Sequence, residues 1–422
     1  MRFGKDVRGG RVFGPGERKA MGRQHEPGVM TGIALLLPIT LTTMAIVLLA
    51  PVLPQLMAEF ADVPGHEYLV PMVLTLPSLC VAVLCPFAGM LGDYFGRRQL
   101  LLASFVLYAV VGVAPLFLTD LVHILISRIG VGVAEAMIYV LSTTMIGDYY
   151  EGERRDRWLA GQTAFASVSA LVFFNIGGLL GEAGWRTPFI VYASALVMFA
   201  LVLKFTWEPS GDKAEIADAT KASAAPHNLS WAMFPWGNLA LIAGITVYGA
   251  IFFYTVQIQA SAGLAELGLS SAARIGFLTS LASLGVPLGT FIYSRLGRIG
   301  VGKLLLAEFG ILSIGFLLMG RTGSVPGFLA GCFINQLGAG MLLPTLLVWS
   351  MSILPFEVRG RGTGFWQSSF ALGQWLSPLA VTFFALHLGG LMKSFEMLGY
   401  MAAAGFVVAL VAGRKTAVAA NA

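Results

Sequence analysis

The chain alternates between long apolar runs and short clusters of charged and turn-forming residues. The apolar runs cover 31–53, 69–91, 99–118, 122–147, 158–181, 187–207, 237–260, 271–294, 303–320, 326–353, 362–386 and 393–413. Each holds about 20 residues, the length at which a helix crosses a hydrocarbon layer roughly 30 Å thick. A transmembrane barrel would show segments of about ten residues with strict alternation, and none are present. A helix satisfies its own backbone in lipid, so the pattern predicts an all-α polytopic membrane protein with twelve spans. The organisation expected is an N-terminal tail (1–30), a six-helix bundle (31–207), a linker (208–236), a second six-helix bundle (237–413) and a short tail (414–422). The linker carries Lys213, Glu215, Asp218, Lys221 and Pro226, and reads as a loop with a short amphipathic helix lying on the membrane.

Composition agrees with lipid as the solvent. Hydrophobic residues make up 57% of the 422 positions and charged residues only 12%, whereas soluble domains carry about 25% charged residues. A soluble enzyme, a disordered chain and a nucleic-acid binder are excluded on that ground. The net charge of +5 is a matter of topology, because 22 of the 27 Lys and Arg residues fall on one side of the predicted spans. The positive-inside rule then puts both termini in the cytoplasm of a multi-pass plasma (inner) membrane protein. Trp158, Trp185 and Trp207 fall near predicted helix ends, where an aromatic belt is expected. Cys80, Cys85 and Cys332 lie in apolar runs as packed thiols. With no phosphate-binding G-x-x-x-x-G-K-[ST] loop, no H-E-x-x-H and no Cys/His cluster, no catalytic residue, metal or cofactor is expected. The expected partners are a small solute, protons and the bilayer, with the chain acting as a monomer.

The two halves echo each other. Gly96-Arg97 recurs as Gly297-Arg298, an offset of 201, and Glu153–Arg157 recurs as Glu357–Arg361, an offset of 204. Such duplicated six-helix units build many secondary transporters.

Between runs two and three stands Gly89-Met90-Leu91-Gly92-Asp93-Tyr94-Phe95-Gly96-Arg97-Arg98. It resembles the G-x-L-x-D-R-x-G-R-R signature of the major facilitator superfamily, with Tyr94 in place of the usual basic residue. The second half carries a degenerate copy in which Ser294 stands for the acid. The resemblance covers the whole chain and implies the two-bundle fold of that family. It also implies a gating role for Gly89, Asp93, Gly96, Arg97 and Arg98 in one end-state of alternating access. The alternative is a marker that only keeps this loop inside.

Run four carries Arg128-Ile-Gly-Val-Gly-Val-Ala-Glu135-Ala136, similar to the family's R-x-x-x-G-x-G-x-A motif. Seven residues apart, Arg128 and Glu135 share one helical face. A charge at mid-membrane costs about 3 kcal/mol or more and usually faces a bundle interior or cavity. One reading makes Glu135 a proton carrier and Arg128 an anion contact or tuner of the carboxyl. The other makes them a structural ion pair or polar glue. In run five the efflux signature G-x-x-x-G-P-x-x-G-G is degraded, with Phe173-Phe174 at its Gly-Pro pair and only Gly177-Gly178 kept.

The other polar residues at membrane depth are candidates for a substrate cavity: Thr40, Thr43, Tyr139, Asn175, Tyr248, Tyr254, Gln257, Asn335, Gln336, Gln367 and Gln374. Each alone is also readable as packing. The family resemblance implies that helices 1, 4, 7 and 10 surround that cavity. Glu308, about one turn past Lys303, is expected to snorkel to the cytoplasmic face, and His123 to be solvated. The function expected is proton-coupled secondary transport of a small organic solute, with efflux favoured. The alternative is proton-symport import of an organic anion. A membrane enzyme or a transporter-like sensor is a remote alternative; the enzyme would need a nucleophile with a His or paired carboxylates at one depth.

Overall fold

A computed structural model describes residues 27–208, 236–353 and 359–420, with side chains described outside 353–363 and 408–420. Among these residues every regular element is helical. The first half comprises α1 (Val29–Glu59), α2 (His66–Phe95), α3 (Arg97–Leu116), α4 (Leu121–Tyr149), α5 (Gly152–Gly181) and α6 (Thr187–Phe205). The second comprises α7 (Trp236–Glu266), α8 (Ala272–Ile299), α9 (Val301–Arg321), α10 (Val325–Ile353), α11 (Arg359–Leu388) and α12 (Leu391–Ala420). Eleven of them are long and apolar enough among the described residues to cross a membrane. The twelfth, α12, lies along α9, where Ser313 Oγ donates to Gly399 O at 2.9 Å. The predicted linker and N-terminal tail fall almost wholly outside the described residues.

Local chemistry sets the breaks. α1 is interrupted beside Pro38 and again at Ala50–Val52, which contains Pro51, since proline removes a helical donor. Asp120 caps α4 by accepting from His123 N, and Ser271 caps α8 by accepting from Arg274 N. The α2–α3 turn is made by Gly96 at φ 91° and the α8–α9 turn by Gly300 at φ 96°, a region open chiefly to glycine. These two turns correct the repeat register. Gly96 corresponds to Gly300, an offset of 204, while Gly297 is helical at φ −55°. In this register Gly297 stands at Asp93 and Val301 at Arg97, so the second half carries neither charge of the motif.

Each half has a core, and that of the first extends onto Ile258, Ala272 and Ala371 of the second. In the first, one end gathers the arginine turn. There Thr31 Oγ1 donates to Phe205 O, Tyr150 OH to Gly28 O and Arg98 Nη2 to Leu203 O. At the opposite end Gln55 Nε2 donates to Gly181 O and Arg186 pairs with Glu59. Trp185 is buried there against Phe60 and Phe189 and forms no part of an exposed belt.

The halves meet at mid-depth and at the end opposite the arginine turn. At that end α5 and α8 touch backbone to backbone. A Cβ on Gly178 would lie 2.6 Å from Ala272 O, and one on Gly276 would lie 2.3 Å from Phe174 O. Glu182, just past α5, accepts from Ser271 Oγ at 2.6 Å and from Ala273 N at 2.8 Å, capping α8 from the other half. Thr382 Oγ1 on α11 donates to Glu67 O on α2.

Two expectations follow. Gly177 approaches Leu48 O so closely that an added Cβ would sit 1.9 Å away, whereas nothing lies within 4 Å of Gly244. Gly177→Ala is expected to destabilise by about 1–3 kcal/mol through overpacking, and Gly244→Ala to leave thermal unfolding in detergent unchanged or improved. The hydrogen bonds from Ser271 and Ala273 hold the Glu182 carboxyl below its ordinary pKa. Its stabilisation of the closed end is therefore complete above the usual carboxylate range and lost as pH falls through its lowered value. Spin labels at Asp62 and Glu266 are expected to gain a longer-distance population on acidification, and Glu182→Ala to show it at neutral pH.

Candidate functional site

Arg128 is fully buried in the seam of α3, α4 and α6. Its Nη2 donates to Val111 O at 3.3 Å and Gly112 O at 3.2 Å, and its guanidinium lies 5.0 Å from the Phe189 ring centre and 4.8 Å from that of Tyr192. The local sequence explains the arrangement. Pro115 stands four residues after Val111 and has no N–H to offer that carbonyl, so the arginine fills the gap. Gly112 has no side chain, which lets the Tyr192 ring press in below the guanidinium. Compensation comes from carbonyl dipoles and ring faces; no carboxylate lies within 4 Å among the described residues. The expected contact between Arg128 and an anionic solute has no support here, because the side chain is off the cavity wall.

Glu135, two turns along the same helix, lies on that wall. α4 comes close to α2 at Gly132, where a Cβ would be 2.7 Å from the Pro77 backbone. Glu135 is 6% exposed, and its Oε2 is buried without a hydrogen-bond partner. The cavity encloses about 240 Å³ between the two halves, near the middle of the helices that form it. Thr43, Tyr139, Tyr254, Gln257, Gln367 and Gln374 line it, as do Thr42, Ser78, Thr163, Ser167, Phe253, Ser283 and Phe370, which sequence reasoning missed. Tyr139 OH donates across the interface to Gln367 Oε1 at 3.2 Å. Tyr254 and Phe370 pack with ring centres 5.2 Å apart.

The remaining candidates lie off the wall. Thr40 donates to Leu37 O and Asn175 to Leu171 O, each bonding its own helix. Tyr248 donates to Met401 O and packs on Phe252 and Phe309 between α7 and α12. Asn335 and Gln336 on α10 stand behind α7: Gln336 Nε2 donates to Phe253 O and to Asn335 Oδ1, and Gln336 Oε1 accepts from Gln257 Nε2. The expected cavity helices are corrected accordingly. α10 contributes Leu343, while α2, α5, α8 and α11 all line the space. Glu308 does not snorkel; it is fully buried, and its Oε1 accepts from Thr345 Oγ1 at 2.5 Å. His123 is exposed and pairs with Asp120.

At the arginine turn, Arg97 bonds Asp93 through Nε at 3.1 Å and Nη2 at 2.8 Å, and its Nη1 reaches Asp148 at the end of α4. Arg98 donates from its backbone N to Glu208 at 3.2 Å and from Nε to Thr206. Gly92 is pressed against Leu141, while Gly89 faces open space. Asp148 and Glu208 are additions to the motif; both are carboxylates at predicted span ends opposite the arginines.

The Arg128 seam generates a stability expectation. Arg128→Lys removes the planar fork and the ring stacking and is expected to lower the thermal midpoint, and Arg128→Ala to lower it further, with a loss of about 2 kcal/mol or more of unfolding free energy through the cavity it leaves. Detergent unfolding curves check both.

The sequence profile described as Major Facilitator Superfamily matches residues 35–378. The class H tetracycline resistance protein of Pasteurella multocida is 29% identical over 197 residues, 46% of this chain and 49% of that protein. The chain thus spans about half the length of that curated relative, and 44% and 43% of the next two. Two solved structures share the fold at TM-score 0.73: a bacterial homologue of the human lysosomal transporter Spinster, inward-facing and unoccupied (16% identical; 92% of this chain and 98% of that one), and a D-xylose-proton symporter (18% identical; 90% and 97%). With the profile, the twelve helices and the paired bundles on the same residues, the chain belongs to the Major Facilitator Superfamily.

Proposed function

We propose that the protein is a secondary transporter that moves a small organic solute by alternating access, coupled to protons through Glu135. The observation that carries this reading is the Glu135 carboxyl, which lies on the wall of a mid-depth cavity between the two halves and has an oxygen without a partner. A carboxyl so situated gains or loses a proton according to which aqueous side it meets, and so links proton binding to the state of the bundle. The six-helix bundles 31–207 and 237–413 are the rocking units. Glu182 and the α5–α8 seam close one end; Asp93, Arg97 and Asp148 stiffen the other. The arginine-rich end is the cytoplasmic face of the plasma membrane, in keeping with the distribution of Lys and Arg. Export is favoured over import, a direction supported by a relative named as a probable sugar efflux transporter of Mannheimia succiniciproducens. The wall carries no basic side chain among the described residues, which counts against an organic-anion importer.

The test is transport in proteoliposomes, with a solute first found by thermal-shift screening of the purified protein. Glu135→Gln is expected to abolish transport driven by a pH gradient while keeping counterflow exchange. Unchanged gradient-driven transport would remove the coupling role.

A further inference from the structure

Four side-chain polar atoms on residues that line the cavity are buried without hydrogen-bond partners: Ser78 Oγ and Glu135 Oε2 from the first half, Gln257 Oε1 and Ser283 Oγ from the second. Two of them only accept when Glu135 is ionised, and the two hydroxyls accept as readily as they donate. The orientation of Gln257 follows from its neighbours. Phe253 O is a carbonyl and only accepts, so Gln336 must present its Nε2 there. Its Oε1 then faces α7, Gln257 must answer with Nε2, and Gln257 Oε1 is left over. The orphaned N–H groups of Arg128, Trp185, Asn335, Trp366 and Trp375 all belong to side chains off the wall. Gln367 and Gln374 carry donor and acceptor alike and discriminate little. Around these atoms stand the rings of Tyr139, Phe253, Tyr254 and Phe370.

A buried acceptor without a donor costs roughly 1–3 kcal/mol, so the ligand that suits this wall brings donors, a positive charge and a flat apolar body. We infer that the cavity takes a protonated aromatic amine. Glu135 supplies the counter-charge from one half, and Gln257 Oε1 accepts a second N–H from the other. Gln257 is thereby the specificity-determining residue that separates N–H-bearing cations from other amphiphiles of the same shape. The inference deepens the transport reading above and rests on it only for the identity of the cavity. A ring face also favours a nearby cation, and about 240 Å³ suits a compact arylalkyl amine better than a large drug.

The experiment is equilibrium binding to the full-length protein in detergent, without any gradient, using three probes of nearly one shape. Tryptamine is cationic and donor-rich, tryptophol is neutral, and indole-3-acetate is anionic. Tryptamine is expected to raise the apparent melting temperature most and indole-3-acetate least. Gln257→Leu is expected to weaken tryptamine by about tenfold, the scale of one hydrogen bond to a charged group, and to leave tryptophol unchanged. Glu135→Gln is expected to abolish the preference for amine over alcohol; retention of tryptophol binding shows that this variant is folded. Equal protection by the three probes, preference for the acid, or no protection by millimolar tryptamine overturns the inference. So does equal weakening of tryptamine and tryptophol by Gln257→Leu. If Glu135→Gln abolishes gradient-driven transport while wild type prefers the acid, the transport reading stands and the substrate class falls. If amine preference holds while that variant keeps gradient coupling, the reverse is true.

Discussion

A charge carried to the middle of a bilayer has to be compensated by the protein itself, and this constraint sorts the two ionisable groups of α4. Arg128, completely buried, is compensated in two ways: by two backbone carbonyls and by two ring faces. It locks α3, α4 and α6 into one unit. Glu135 has neither carbonyl-borne nor ring-face compensation of that kind: its Oε2 is buried without a hydrogen-bond partner, on the wall of a mid-depth cavity between the halves. The two groups sit in the same helix on a shared face, so the difference in their surroundings is a difference in neighbours. Glu308 shows an intermediate case, with one oxygen bonded to Thr345 and the other orphaned inside the second half, away from the cavity.

Much of the architecture was legible along the chain because lipid leaves few alternatives: apolar runs of the right length, broken by arginines, became helices ending near the expected positions. Glu135 was legible for the same reason, as an acid inside an apolar run. Other readings failed where the deciding partner was backbone. Thr40 and Asn175 look like cavity lining until their own helix supplies an acceptor one turn back. Arg128 looks like an anion site until Pro115 is seen to free a carbonyl four residues upstream. The repeat was misaligned by three residues because Gly-Arg pairs are common in turns, and only the sign of φ tells Gly300 from Gly297. Ser78, Thr163, Ser167 and Ser283 carried no signal of their own, because small hydroxyls serve equally as glue between membrane helices.

The amides of the second half illustrate how a hidden residue acts on an exposed one. Gln336 never reaches the cavity, yet its bond to Phe253 O dictates which end of Gln257 is left free. Asn335 receives the second hydrogen of the same amide and keeps it from turning. The polarity that a solute meets is thus decided one layer behind the wall, by a carbonyl that cannot switch roles.

The seam of α5 and α8 has a consequence for the thermodynamics of switching. Gly178 and Gly276 bring bare backbone against backbone, and glycine has no rotamers to freeze. Joining a surface of long side chains would sacrifice up to ~2 kcal/mol of rotamer entropy for each residue immobilised. A seam of this kind closes and parts with little such penalty in either direction. In the cycle proposed above, the two end-states then lie within reach of each other in free energy, and one proton arriving at Glu135 would suffice to shift the population between them.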